Sequence, residues 1–114
     1  MAGTCFMITS DRIGRGDDEL GHILMKNFLY SLARAENRPA KVCFMNGAVA
    51  LVCEGSESID DLRLLEDAGT VISACGTCLD YLSLKERIVV GTVGTMPGSV
   101  ETMTDPEMRI VSIP

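Results

Sequence analysis

The sequence predicts a three-layer, doubly wound α/β fold: a mainly parallel five-stranded sheet with helices on both faces. Strand-like and helix-like segments alternate along the whole chain, the signature of successive βα units. The strand-like segments are near-continuous apolar runs, as expected of parallel strands covered on both sides. A long amphipathic segment near the N-terminus supplies one of the covering helices.

The first strand reads as Thr4 to Thr9, ended by Ser10-Asp11, with Asp11 to Asp17 as a loop. A helix follows over Asp18 to Glu36, its apolar stripe assigned to Leu20, Ile23, Leu24, Phe28 and Leu32. Asp17, Asp18 and Glu19 stand where the helix dipole favours negative charge. This stripe leaves Met25, Leu29 and Tyr30 as surplus apolar positions. Pro39 lies in the connection.

Ala40 to Met45 forms the second strand, ended by Asn46-Gly47, and Ala48 to Cys53 is extended or irregular. Ser58 is placed to cap a second helix, with Asp61 three residues on. Ile59, Leu62, Leu65 and Ala68 form its inner face, and Gly69 suits its C-terminal cap. Thr70 to Ala74 is the third strand and runs into the turn Cys75-Gly76-Thr77-Cys78. A short helix is expected over Leu79 to Leu84. Ile88 to Gly91 and Met108 to Ile113 are strands four and five, with a helical piece at Ser99 to Met103. Gly94 to Gly98 reads as a loop.

The 114 residues fit one domain, residues 1–114, large enough for a hydrophobic core without cross-links. A net charge of -6 disfavours nucleic acid and anionic membrane as partners. No apolar run approaches the length of a membrane span. Met1 to Phe6 lacks the basic segment and apolar core of a secretory signal. A cytoplasmic location is therefore expected. Five cysteines, an odd number, fit free thiols around one reactive site better than a disulfide framework.

In a doubly wound sheet the loops after the strands share one edge, and ligands bind there. That edge gathers Arg12, Arg15, Asn46, Cys75 and Cys78 with the Thr92 to Met96 segment. Cys75 and Cys78 are the candidate catalytic residues, because amides at a strand-to-helix turn stabilise a thiolate, the form that attacks sulfane sulfur or a disulfide. Arg12, Arg15, Asn46, Gly76, Thr77 and Thr95 are candidate substrate-binding residues. The alternative for the two arginines is a pair of solvated loop charges balancing Asp11, Asp17 and Asp18. The alternative for the cysteines is a pair of buried structural thiols.

Other chemistries fit poorly. Structural zinc needs four ligands; Cys5 lies toward the far edge, Cys43 is mid-strand, and only Cys53 is placed to approach, so no metal is expected. Glu19 stands where a dinucleotide fingerprint requires its third glycine, and His22 replaces the lysine of a P-loop. No cofactor is expected. His22 reads as a surface residue, Ser56 and Ser58 as turn and cap residues, and Met7, Met25 and Met45 as core filler.

Asp11-Arg12-Ile13-Gly14-Arg15-Gly16-Asp17-Asp18-Glu19-Leu20-Gly21 with Leu24 to Leu29 resembles the first motif of the DsrE-like sulfurtransferase family. Phe44-Met45-Asn46-Gly47 with Glu54-Gly55-Ser56 resembles its second block, and Ala74 to Tyr81 its cysteine motif. Within the family the likeness is to the C-terminal domain of YedF-type proteins, described as sulfurtransferase-like and linked to selenium metabolism. The resemblance implies oligomers, a persulfide carried on Cys75 beside Cys78, and a donor or acceptor such as a TusA-like carrier. YedF-type proteins have an N-terminal TusA-like domain that no segment here matches, and Gly94-Thr95-Met96 replaces an expected Thr-Asn-Met turn. Three functions stay open: sulfur or selenium transfer, a non-catalytic binding module, and a dithiol redox protein.

Overall fold

The computed structural model describes residues 3–114; Met1 and Ala2, part of the segment read as lacking a secretory signal, lie outside the described residues. Five strands form one sheet: β1 Gly3–Ile8, β2 Lys41–Phe44, β3 Val71–Cys75, β4 Thr92–Gly94 and β5 Met108–Ile113. Their order is β4-β3-β2-β1-β5, and every neighbouring pair is parallel. The chain steps outward from β1 to β4, then returns past the sheet to lay β5 beside β1. With right-handed crossovers, that reversal puts α1 (Asp18–Arg34), α2 (Ile59–Asp67) and α3 (Gly76–Tyr81) on one face and α4 (Met96–Met103) on the other. The expected α/β architecture is observed.

The two faces are unequal. On the first, Ile8, Val42, Phe44 and Ile72 of the strands meet Met25, Leu29, Leu62, Leu65 and Leu79 of the helices. Phe6 and Phe28 pack edge to face there, with ring centres 5.4 Å apart. Burying each large side chain contributes about 1.5–3 kcal/mol, so this layer dominates stability. On the second face the buried apolar cluster among the described residues is Cys5, Met7 and Cys43, flanked by Met45, Met108 and Ile110.

Helix α1 is rotated from its expected orientation. Met25 and Leu29 are buried, whereas Leu20, Ile23 and Leu24 are 53%, 50% and 42% exposed. The buried line is Gly21, Met25, Leu29, Leu32 and Ala33. The cause is close packing: a Cβ on Gly21 would lie 2.9 Å from Arg12 Cβ, and Ile13 N–H donates to the Gly21 carbonyl at 3.0 Å. The preceding loop therefore folds onto the small-residue side of the helix. Asp17 caps α1, its Oδ1 accepting from Leu20 N–H at 2.9 Å.

Other boundaries also move. Asn46–Val52 is a 3-10 helix rather than extended chain. Ser58 precedes α2 but makes no side-chain cap; its φ of -106° and ψ of 7° depart from the extended backbone of a capping residue. Asp61, expected to complete a capping box, instead accepts from Arg34 Nη1 at 2.9 Å. Gly69 ends α2 with φ of 102°, as expected. The fourth strand is Thr92–Gly94, not Ile88 to Gly91; Ile88 makes only an isolated antiparallel bridge to Cys53. Gly91, with φ of 79°, turns the chain tightly over Ile72 before pairing begins. Helix α4 starts at Met96, inside the segment read as a loop, because Thr95 caps it and Pro97 suits its first turn.

Candidate functional site

The carboxyl edge of β3 carries the cysteine pair. Cys75 is the last residue of β3 and also the N-cap of α3, so Gly76, Thr77 and Cys78 form the first helical turn. The sequence placed that helix from Leu79 and left the four residues as a turn. Starting the helix earlier matters, because first-turn amides lack helical partners and face the capping residue. Gly76 is required by β4: a Cβ there would lie 3.0 Å from Val93 Cγ1 and 3.3 Å from the Gly94 carbonyl oxygen.

Cys75 is only 8% exposed, less open than a rim position suggests, and Cys78 is half-buried. Burial opposes ionisation of Cys75 more than any other single influence. The N–H and thiol of Cys78, with the N–H and hydroxyl of Thr77, together outweigh it and hold the Cys75 thiol below its ordinary pKa. No capping hydrogen bond of standard geometry closes on its side chain, so these groups act as several oriented dipoles. Cys78 moves the opposite way: burial raises it, the Asn46 N–H counters that, and Cys75 raises it again. The pair therefore favours a thiolate on Cys75 and a proton on Cys78.

Asn46 belongs to the same constellation through its backbone. Its N–H donates to Cys78 Sγ at 3.2 Å, and its φ of 51° turns the chain out of β2 toward α3. Asparagine is among the few residues that adopt this left-handed conformation readily. Cys75, Cys78, Gly76, Thr77 and Asn46 are thus brought together.

The remaining candidates are not. Arg12 and Arg15 lie after β1, two strands from β3, beside a cavity of about 520 Å³ that also touches Ser10 and Pro114. Arg12 is held by Asp18 at 2.9 Å and Asp11 at 3.3 Å, which raises its pKa. This is the charge-balancing arrangement offered as its alternative. Thr95 follows Gly94 at the cysteine turn, but its Oγ1 accepts from Gly98 N–H at 3.1 Å and caps α4.

Two features escaped the sequence reading. A cleft of about 420 Å³ between α1 and the segment after the 3-10 helix brings together Asp11, His22, Lys26, Glu54 and Ser56. Lys26 Nζ donates to the Glu57 carbonyl there at 2.8 Å. Cys5 and Cys43, read only as a far-edge and a mid-strand position, have sulfurs 3.9 Å apart. Strand parity was the available signal, since Cys5 and Met7 share one face of β1 and Cys43 the same face of β2. Among the described residues no three His, Cys, Asp or Glu side chains group to hold a metal, and no helix is long and apolar enough to cross a membrane.

Fold and site together define a small, all-parallel α/β protein with a dithiol at a strand-to-helix junction. The chain is similar to the protein of unknown function MTH1491 from Methanobacterium thermoautotrophicum, at 18% identity and a TM-score of 0.65, over 98% of this chain and 99% of that one. It is also similar to the ychN protein from E. coli, at 17% identity and a TM-score of 0.62, over 97% of this chain and all of that one. These likenesses establish a shared fold. No protein-family model and no curated protein matches the chain.

Proposed function

We propose that the chain is a sulfur-relay component in which Cys75 carries sulfane sulfur as a persulfide. The supporting observation is the opposed displacement of two thiols at one junction, Cys75 toward thiolate and Cys78 toward thiol. The thiolate of Cys75 attacks the terminal sulfur of a donor persulfide. A new S–S bond forms, the donor S–S bond breaks, and its electron pair leaves on the donor thiolate. A partner thiolate then removes the sulfur by the same exchange. Attack by Cys78 on the Cys75 sulfur would instead release hydrosulfide and leave a Cys75–Cys78 disulfide.

The partner in this reading is a protein thiol such as a TusA-like carrier. The chain works as a homo-oligomer, joined through the exposed Leu20, Ile23 and Leu24 stripe of α1, since contiguous exposed apolar surface marks interaction sites.

Intact-mass measurement after exposure to a persulfide donor tests the proposal. Gain of one sulfur atom, lost in Cys75→Ser and retained in Cys53→Ser, supports it. Loss of two hydrogens without sulfur gain, with no sulfur gained in Cys78→Ser either, favours the dithiol redox reading. An unchanged mass leaves a binding module and refutes the transfer role.

A further inference from the structure

The second face of the sheet holds sulfur in an arrangement that hydrophobic packing does not require. Cys5 Sγ lies 3.9 Å from Cys43 Sγ and 3.8 Å from Met7 Sδ. Met7 and Cys43 are direct register partners on adjacent strands, so their side chains stand beside each other on the same face. Met45 and Met108 pack against the cluster. Cys5, Met7 and Cys43 are all at least 95% buried, and none belongs to the Cys75 site.

Three sulfurs around a trigonal ion stand √3 bond lengths apart, about 4 Å for a metal–sulfur bond of roughly 2.3 Å. The two separations from Cys5 Sγ, 3.9 Å to Cys43 and 3.8 Å to Met7, match that value. A disulfide fits less well. Cys43 stands two residues beyond Lys41, the register partner of Cys5, so the pair is diagonal across the ladder. Parallel strands lie about 4.8 Å apart with a rise of about 3.3 Å per residue, which puts these Cα atoms about 8 Å apart, beyond the limit for a disulfide.

We propose that Cys5, Cys43 and Met7 form a buried binding site for a single copper(I) ion. Thiolate and thioether donors select soft cations, copper(I) foremost. Zinc would need a closed set of four nitrogen or thiolate donors, and calcium or magnesium would need oxygens. Binding forms two copper–thiolate bonds and one copper–thioether bond, and releases to solvent the protons that the thiols carried. No electron is transferred. One monovalent cation with two thiolates leaves a single negative charge, and the Lys41 ammonium on the same sheet face offsets it. Lys41 is anchored there by donating from Nζ to Thr102 Oγ1 of α4 at 3.1 Å.

The test uses the full chain with Cys75→Ser and Cys78→Ser, so that the other dithiol cannot compete. Reduced protein is titrated without oxygen against the copper(I)–bicinchoninate complex. The expected result is withdrawal of one copper(I) per chain, with X-ray absorption showing three sulfur neighbours at about 2.3 Å. Met7→Leu preserves side-chain volume; it should lower affinity about 10- to 100-fold and leave two sulfur neighbours. Cys43→Ala should lower affinity by at least about 100-fold, with circular dichroism confirming the fold. If Cys43→Ala does not fold, the sulfur count in Met7→Leu decides. Failure of the folded double-serine protein to withdraw copper(I) overturns the proposal. So does an unchanged affinity and sulfur count in Met7→Leu.

Discussion

The backbone N–H of Asn46 donates to Cys78 Sγ across 3.2 Å, tying the end of β2 to the first turn of α3. The bond exists because Asn46 takes a φ of 51°, which reverses the chain as it enters the 3-10 helix. Two adjacent strand ends thereby share one sulfur site, and the geometry around Cys75 and Cys78 depends on a conformation 32 residues before Cys78. Residues in this conformation at a sheet edge carry strain that the surrounding packing must hold.

Substitution at Asn46 should follow conformation rather than polarity. Asn46→Gly keeps access to positive φ and should leave stability nearly unchanged. Asn46→Val should cost about 1–2 kcal/mol, the penalty of a Cβ-branched residue in the left-handed region. Urea unfolding of the two variants checks this. Equal stability would show that the turn relaxes freely.

The Cys75 pKa should be visible as a reactivity profile. Iodoacetamide labelling of Cys75 should rise with its thiolate fraction and reach half-maximum below the ordinary thiol pKa, since the folded-state value is lowered. Cys78→Ala removes a donor to Cys75 and should move that midpoint upward. The linked stability has a definite sign. A lowered pKa stabilises the fold above the unfolded thiol value, and that contribution fades as pH falls through the folded value. Peptide mapping across a pH series tests the profile, and a midpoint at or above the ordinary value contradicts it.

Gly91→Ala should disturb the site from outside. Its Cβ would lie 2.6 Å from Ile72 Cγ2 and 2.8 Å from the Ile72 carbonyl oxygen, at a φ of 79°. Overpacking and backbone strain together should cost about 3 kcal/mol. The short strand β4, which abuts Gly76, should detach first. Hydrogen exchange should show faster exchange at Thr92–Gly94, with β1 and β2 much less affected.

Two leucines on α1 should separate folding from association. Leu29 is fully buried, so Leu29→Glu should unfold the chain by placing an unpaired carboxylate in the core. Leu24 is 42% exposed, so Leu24→Glu should leave circular dichroism unchanged and weaken self-association. Light scattering of the unmodified protein should give a mass above that of the 12.3 kDa chain. A monomeric mass would refute an interface on this stripe.

The sequence by itself determined the layers and the junction that matters. Continuous apolar runs such as Val71 to Ala74 specify buried parallel strands, and that topology sends Asn46 and Cys75 to a common edge. The helix dipole marked Asp17 and capping chemistry marked Gly69, since both act within their own helix end. Tertiary structure decided what depends on a partner surface. Helix α1 offers two apolar stripes of similar width, and only the loop packed on Gly21 selects the one through Met25 and Leu29. Asp61 left its expected capping role because Arg34 lies opposite it, and Thr95 is taken up as the N-cap of α4 by accepting from Gly98 N–H. The Ile88 to Gly91 run reads as a strand from composition, yet pairing begins at Thr92, where Gly91 brings the chain against Ile72. Local signals persist in a single chain segment. Register, rotation and the meeting of Cys5 with Cys43 arise only when separate segments pack together.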